Sequence, residues 1–171
     1  MLIAVISDIH DNLVNLNKCL AWCDKEKINN LICCGDIANG ETLKILSSKF
    51  KNKIYLVRGN LEIYEEGDEK KFKNIIYLGR IGKVELDGKL IGICHEPYLI
   101  DKVLEKGKVD IIFYGHTHRP WIEEKNGVKL ISPGTLGGVF QKATFAVYDT
   151  DKKEPELKEE KNFQFFETLK N

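Results

Sequence analysis

The amino-acid sequence predicts an α/β fold with two mixed β-sheets, and two features of the chain support this prediction. In the first part, short apolar runs alternate with segments of helical spacing, and this βαβα order indicates a parallel sheet. In the second part, strand-like runs flank the pairs Asp87-Gly88 and Asn126-Gly127, which favour tight antiparallel hairpins. A sandwich of two mixed sheets accommodates both parts of the chain.

The first part of the chain alternates predicted strands and helices. The run from Leu2 to Ser7 is almost entirely apolar, as expected for a strand that is buried on both faces. The next segment places apolar residues at helical spacing and begins at Asn12, a favourable N-cap residue. The elements predicted after the first strand are helix 12–24, strand 31–34, helix 41–50 and strand 54–57.

The second part is richer in strands. Its predicted elements are hairpins over 84–91 and 122–131, a helix over 100–106, and strands over 109–114 and 143–148. Charged residues dominate 152–161, which predicts a solvated turn or an edge strand. The aromatic residues Phe163, Phe165 and Phe166 are expected to return to the core or to a partner surface.

Composition narrows the class of protein. A length of 171 residues predicts one domain that spans 1–171. The 26 basic residues balance the 26 acidic ones, which argues against a general nucleic-acid-binding surface. No apolar stretch approaches the roughly 20 residues that span a bilayer, so we expect a cytoplasmic protein with no membrane partner. The oligomeric state is open, and a homo-oligomer is compatible with the sequence.

The five cysteines are an odd number, which fits a reducing compartment better than a framework of disulfides. Two of them lie four residues apart on the first predicted helix, and another two end a predicted strand. We expect them to be small buried hydrophobic residues. A separate thiolate metal site is the alternative.

Polar residues follow five predicted strands at their carboxyl ends. In open α/β sheets that edge is where ligands bind, so residues that are far apart in sequence can build one site there. Glycine precedes several of them and allows a sharp turn and a close backbone approach. The residues are Asp8 and His10, Asp36, Asn60, His95, and the pair His116 and His118.

These side chains form a ligand set for two divalent metal ions. Oxygen and imidazole ligands without a thiolate suit Mn, Fe, Ni, Co or Zn. Two ions about 3.5–4 Å apart can bind a phosphate and acidify a bridging water, and the resulting hydroxide attacks phosphorus in line with the leaving group. Each short motif alone also occurs as a cap or turn. Gly-His-Thr-His at 115–118 is the most specific, and no histidine lies outside these motifs.

The ordered pattern Asp-x-His, Gly-Asp, Gly-Asn, His and Gly-His-x-His resembles that of the calcineurin-like metallophosphoesterases, and most of all their small YfcE-like phosphodiesterase branch. The segment Ser132-Pro133-Gly134-Thr135 also matches that branch. The resemblance implies a four-layer α/β/β/α sandwich and a dinuclear metal site. By position, Asp8, His10 and His118 would bind the first ion, Asn60, His95 and His116 the second, and Asp36 would bridge them.

The resemblance also implies roles in the reaction. Asp36, Asn60 and His95 are the predicted catalytic residues. Asn60 is also a predicted substrate contact by the resemblance, and Asn12 and Arg58, which lie beside the motifs, are further predicted substrate contacts. Asn12 could instead orient the loop of the first metal. Arg58 and Arg119 lie beside the motifs and could meet the substrate's charge, with surface or inter-strand pairing as the alternative.

The chain departs from the family pattern near Asn60 and His95. Many superfamily phosphatases have a proton-donating histidine after the Gly-Asn asparagine, and Leu61 stands there, followed by Glu62. General acid catalysis contributes typically about 10²–10⁴-fold, so we expect a slower enzyme or one that prefers good leaving groups. Glu96 and Pro97 stand where the family often has glycine after His95, which changes the pocket beside the second metal.

The sequence therefore predicts a divalent-metal-dependent phosphodiesterase that hydrolyses a small phosphodiester. The main alternative is a non-catalytic metal-binding scaffold, as in the retromer scaffold subunit that shares this fold. Leu61 and the aromatic cluster near the C-terminus keep that alternative open. A phosphomonoesterase or a nuclease is a further alternative, although a short neutral chain lacks an evident DNA-binding surface.

Overall fold

The computed structural model describes residues 1–151 in full and residues 163–167 as a backbone strand. The charged run 152–161, predicted to be a turn or an edge strand, lies outside the described residues. The side chains of Phe163, Phe165 and Phe166 lie outside them as well, so their predicted contacts stay predictions.

The first sheet contains six strands within the described residues. They are β1 (Leu2–Ile6), β2 (Asn30–Cys33), β3 (Lys53–Leu56), β4 (Ile75–Tyr77), β10 (Thr144–Asp149) and β11 (Phe163–Glu167), in the order β11-β10-β1-β2-β3-β4. Strands β1 to β4 are parallel, and β10 is antiparallel to both β1 and β11. The sheet is therefore mixed, with the predicted parallel βαβα unit at its centre.

The second sheet contains five strands within the same described part. They are β5 (Ile81–Leu86), β6 (Lys89–Cys94), β7 (Ile111–Phe113), β8 (Pro120–Lys125) and β9 (Val128–Pro133), in the order β5-β6-β7-β9-β8. Both predicted hairpins are confirmed. At each turn the two central residues have positive φ, 52° and 71° at Asp87 and Gly88, and 55° and 76° at Asn126 and Gly127. This is the backbone that a type I′ turn requires.

Three α-helices cover the two sheets within the described residues. They are α1 (Leu13–Lys25), α2 (Gly40–Lys49) and α3 (Ile100–Glu105). As predicted, Asn12 caps α1, because its side chain accepts a hydrogen bond from Asn15 N at 3.0 Å. Short 3₁₀ helices span Asp68–Lys71 and Pro97–Leu99.

Three apolar clusters separate the layers and show their order. One joins α1 and α2 to the first sheet, one lies between the two sheets, and one joins α3 to the second sheet. Between the sheets, Phe113 meets Tyr148 edge to face at 5.8 Å. Strand β6 and α3 approach so closely at Gly92 that an added Cβ would lie 2.5 Å from Val103 Cγ1. The predicted four-layer α/β/β/α sandwich is thus confirmed.

Strand β4 was not predicted from the sequence. It has only three residues and pairs with β3 at the end of the parallel array.

The cysteines are buried and free, as expected of small hydrophobic residues, and burial raises the pKa of the Cys94 thiol to about 12. In the described part of the chain, no helix combines the length and the hydrophobicity that crossing a membrane requires.

Candidate metal centre

All seven predicted metal ligands lie together where strands of both sheets end. Asp8, Asp36 and Asn60 follow β1, β2 and β3 of the first sheet, while His95 follows β6 and the pair His116 and His118 follows β7 of the second. Their ligand atoms form two groups, each within 4.8 Å: Asp8 with His10 and His118, and Asp8 with Asp36 and His95. Asn60 Oδ1 joins the second group, 3.0 Å from His95 Nε2 and 2.9 Å from His116 Nδ1.

Asp36 belongs to the second group and also approaches His10 of the first. Its Oδ2 atom is 3.3 Å from His95 Nε2 and 3.9 Å from His10 Nε2. Its other oxygen, Oδ1, accepts a hydrogen bond from Leu61 N at 2.7 Å. Asp8 is shared by the two groups. The bridging role of Asp36 that the family resemblance implies stays a prediction.

The centre has a buried floor and an exposed mouth. We define the floor as Asp8, Asp36 and His95, which are at most 2% exposed. The mouth consists of the two exposed residues Asn60 and His116. A ligand therefore approaches from the mouth and meets carboxylates only at depth.

The backbone of the ligand loops is unusual. Five of the seven candidate ligands have positive φ: Asp8 54°, His10 46°, Asp36 55°, His116 69° and His118 59°. Side chains other than glycine adopt this region at a cost, and such residues cluster at functional sites. Hydrogen bonds between loops hold it in place, among them Ile9 N to Asp36 O at 2.8 Å and Gly115 N to His95 O at 2.9 Å.

Two glycines give the loops room to meet. A Cβ at Gly59 would lie 2.1 Å from Asp36 Oδ1, and one at Gly115 would lie 2.0 Å from Ser7 Oγ. Both distances are far below van der Waals contact. The glycines of the Gly-Asn and Gly-His motifs are therefore required by close approach of neighbouring loops.

Backbone carbonyl groups orient two of the imidazole rings. His95 Nδ1 lies 2.7 Å from Cys34 O, and His118 Nδ1 lies 3.0 Å from Val139 O. A carbonyl oxygen can only accept, so Nδ1 carries the hydrogen in both rings. The neutral rings therefore present the Nε2 lone pair to the centre, the arrangement that metal-binding histidines commonly show.

These lone pairs face other acceptors. His118 Nε2 lies 3.1 Å from Asp8 Oδ1 and 3.2 Å from His10 Nε2. Asp8 Oδ1 is buried and has no hydrogen-bond partner. Electron-rich atoms packed this closely require cations among them, either protons or metal ions. The donor set thus fits divalent metal ions of the nitrogen- and oxygen-preferring kind.

The pKa shifts of the histidines and aspartates also show that the centre favours positive charge. Burial alone would lower the pKa of His95, but Asp36 and Asp8 outweigh it and raise that pKa. The contact with Asp8 likewise raises the pKa of His118. Burial alone would raise the pKa values of Asp8 and Asp36, yet the neighbouring imidazoles hold both below their usual range.

Glu62 supports the centre in a way that the sequence analysis missed. Its carboxylate accepts hydrogen bonds from Ile37 N at 3.1 Å, Ala38 N at 3.0 Å and Gly59 N at 3.3 Å. It therefore ties the loop of Asp36 to the loop of Asn60. Its acidic character was visible in the sequence, but its backbone partners lie up to 25 residues away.

The predicted substrate contacts Arg58 and Asn12 engage polar groups within the protein, and their contact with substrate stays a prediction. Arg58 donates to Glu69 Oε1 at 3.2 Å and to Tyr64 O at 3.0 Å, and its guanidinium lies over the Tyr64 ring at 5.1 Å. Asn12 caps α1 and donates to Gly137 O at 2.8 Å. Both residues hold loops of the site in place.

Other residues beside the motifs differ in exposure. Leu61 is 48% exposed and Arg119 is exposed next to His118. Glu96 is buried and pairs with Arg80. The segment that follows His95 is thus fixed by an ion pair where the family often has a glycine.

The chain is similar to known phosphoesterases. A family model described as the calcineurin-like phosphoesterase superfamily domain matches residues 1–153. The chain is 29% identical over 166 residues to the phosphodiesterase MJ0936 of Methanocaldococcus jannaschii, an alignment that covers 90% of this chain and 96% of the relative.

Solved structures share the fold. That of a novel archaeal phosphodiesterase has a TM-score of 0.82 at 26% identity and covers 97% of this chain and 99% of its own. The phosphoesterase YfcE of E. coli has a TM-score of 0.68 at 20% identity, covering 88% and 90%. Vacuolar protein sorting 29 of Cryptosporidium parvum has a TM-score of 0.65 at 26% identity, covering 85% and 83%.

The pattern of ligands at the strand ends, the four-layer fold and the match over 153 residues lead to one assignment. The chain belongs to the calcineurin-like phosphoesterase superfamily, whose members are metal-dependent, and it is a phosphoric ester hydrolase.

Proposed function

We propose that the protein is a phosphodiesterase that hydrolyses a small phosphodiester with two divalent metal ions. The observation that carries the proposal is the arrangement of lone pairs in the centre. The carbonyl oxygens of Cys34 and Val139 fix the rings of His95 and His118. Their free nitrogens face carboxylate and amide oxygens at 3.0–3.3 Å.

The residues divide into two sets of ligands. Asp8, His10 and His118 would hold one ion, Asn60, His95 and His116 the other, and Asp36 would contact both. Bound ions would supply positive charge to neutralise the phosphate and to acidify a water for attack on phosphorus. Mn, Ni, Fe, Co and Zn all suit this donor set.

Two residues of the chain act on the substrate itself in this proposal. Asn60 directs Oδ1 to the imidazoles, so its Nδ2 group is available to donate to a phosphate oxygen. Arg119 is exposed beside His118 and can attract the negative charge. Leu61 has no proton to give, so the reaction favours esters whose leaving group is stable as an anion.

The first test is turnover of bis-p-nitrophenyl phosphate by chelator-stripped protein to which single metals are added back. We expect metal-restored turnover that His116→Ala lowers by about 10²-fold and that Thr117→Ala retains. Thr117 is the matched control because it lies in the same loop and its hydroxyl contacts Ser132 at 3.4 Å. Stoichiometric metal binding without turnover would contradict the proposal.

The second candidate is a metal-binding scaffold of the same fold. It is favoured by Leu61 and Ile63, which are exposed beside Asn60 in place of a proton donor. Assays with p-nitrophenyl phosphate and with single-stranded DNA distinguish the monoesterase and nuclease alternatives. A protein that binds metal and turns over none of these esters would be a scaffold.

A further inference from the structure

Phe140 is the most exposed large hydrophobic residue in the described part of the chain, with 92% of its surface accessible. Its backbone has a φ of +60°, a conformation that is rare for a bulky side chain. The residue therefore combines an unfavourable backbone with an apolar ring in water. Neither property benefits the fold, which suggests a functional reason for keeping the ring there.

The segment that carries Phe140 is firmly attached to the candidate centre. Leu136 N donates to Ser7 O at 2.9 Å and Gly137 N donates to Asp8 O at 2.8 Å. Thr135 Oγ1 donates to Asp8 O at 3.0 Å. These bonds join the segment to the loop of a floor residue. The ring of Phe140 is thus held by an anchored loop at a defined distance from the ligands.

Phe140 also contacts a candidate ligand directly. Its ring stacks on that of His118, with centroids 6.2 Å apart and planes inclined by 20°. The preceding residue, Val139, accepts the hydrogen bond from His118 Nδ1. An aromatic surface therefore lies beside the point where a phosphate would bind, and it remains open to solvent.

We propose that Phe140 binds a flat aromatic group of the substrate, so that the enzyme prefers phosphodiesters with an aryl or nucleobase substituent. This inference rests on the proposed phosphodiesterase function and specifies its substrate class. Offset stacking of two rings is favourable beyond the area that it buries, and stacking on a side chain accepts any base because every base has a flat face. The phosphate in the centre and the ring on Phe140 would be bound together.

Exposed apolar residues also follow one ligand of the second set. Leu61 and Ile63 are exposed after Asn60, which belongs to the second set of ligands, whereas Phe140 adjoins the first set. A phosphodiester has a substituent on each side of phosphorus, and each side would meet apolar surface. This arrangement suits two uncharged ester groups better than the additional charges of a polyphosphate chain.

The test is calorimetric binding of paired phosphonates to Mn²⁺-loaded protein. Phenylphosphonate and methylphosphonate carry the same anionic group and differ in the ring. We expect wild-type protein to prefer phenylphosphonate, and Phe140→Ala to reduce that preference by about three- to tenfold. Phe140→Tyr, which keeps the ring, should retain it. The same measurement with thymidine 5′-monophosphate and 2-deoxyribose 5-phosphate, which differ in the base, tests the preference for a nucleobase.

Trp121→Ala is the matched control, because Trp121 is another exposed aromatic residue, on β8 at 57% exposure. It should leave the preference unchanged. An unchanged preference in Phe140→Ala, or binding of neither phosphonate, would overturn the inference. Because binding is measured without turnover, failure of the phosphodiesterase proposal appears separately, as inactivity toward bis-p-nitrophenyl phosphate.

Discussion

The floor and the mouth of the candidate centre use similar residue types in opposite environments. Asp8, Asp36 and His95 of the floor are enclosed by both sheets, whereas Asn60 and His116 of the mouth are exposed. Burying a charge is costly unless the charge is paired, so the stability of the fold should depend on cations at the floor. Stability should not depend on the exposed residues of the mouth in this way. The same change of ligand should therefore affect activity in both regions, but stability only in the floor.

The strongest test of this difference is Asp36→Asn. The amide can still accept from Leu61 N but lacks the charge that two cations need, so we expect turnover to fall by about 10³-fold, equivalent to several kcal/mol of transition-state stabilisation. Added Mn²⁺ should raise the melting temperature of wild-type protein by mass action and that of the variant much less. Steady-state kinetics and thermal unfolding, with and without Mn²⁺, measure the two effects.

Asp101→Asn is the control for Asp36→Asn, because Asp101 is an exposed carboxylate paired with Lys125. It should behave like wild-type protein in both measurements. Wild-type turnover, or an undiminished Mn²⁺ shift, in Asp36→Asn would refute the bridging role.

Replacing one histidine in each region tests the difference between floor and mouth more directly. His95→Ala and His116→Ala should each lower turnover by about 10²-fold. His95→Ala should also lower the free energy of unfolding by about 2–3 kcal/mol, because it empties a buried position and leaves the carbonyl oxygen of Cys34 without its donor. His116→Ala should change that free energy by less than about 0.5 kcal/mol. Urea denaturation of metal-free protein measures both, and equal losses of stability would remove the distinction between floor and mouth.

Crowding of the floor gives a third test. Gly59→Ala places a Cβ 2.4 Å from Asp36 N, and we expect a loss of about 2 kcal/mol, in the usual range for overpacking. Gly40→Ala is matched, since its Cβ meets Tyr64 Cβ at an ordinary 3.5 Å at the start of α2. It should be neutral or stabilise by up to about 1 kcal/mol. If the two variants denature at the same urea concentration, close loop contact does not explain Gly59.

The residues of the floor and the mouth could be placed at one edge of the fold from the sequence because the signals that place them are local. Each ligand follows a short apolar strand, and parallel strands bring their carboxyl ends to one edge. The pairs Asp87-Gly88 and Asn126-Gly127 likewise specify hairpins through backbone preferences of two adjacent residues. Strand β4 was missed because a three-residue run next to charged residues has little periodicity.

The roles of Arg58, Glu62 and Phe140 could not be predicted in the same way. Arg58 follows a strand as the candidate ligands do, but its ion pair with Glu69 depends on how the intervening loop folds back. The partners of Glu62 are backbone groups, which any sequence provides. Phe140 is exposed and has a positive φ, and the loop that carries it is anchored by a hydrogen bond to Asp8, more than 100 positions away.

The smallest expected effect concerns the mouth alone. Leu61→His places a proton donor beside Asn60 at a position that is 48% exposed, so the fold should tolerate it. We expect turnover of diphenyl phosphate, which has a poor leaving group, to rise about tenfold. This is less than general acid catalysis usually contributes, because no neighbouring residue positions the new imidazole. Turnover of bis-p-nitrophenyl phosphate should change little, since p-nitrophenolate leaves without a proton.

Leu61→Gln is the matched polar variant that cannot donate an acidic proton. An equal gain with both esters, or with glutamine, would mean that Leu61 limits access to the centre and not protonation of the leaving group.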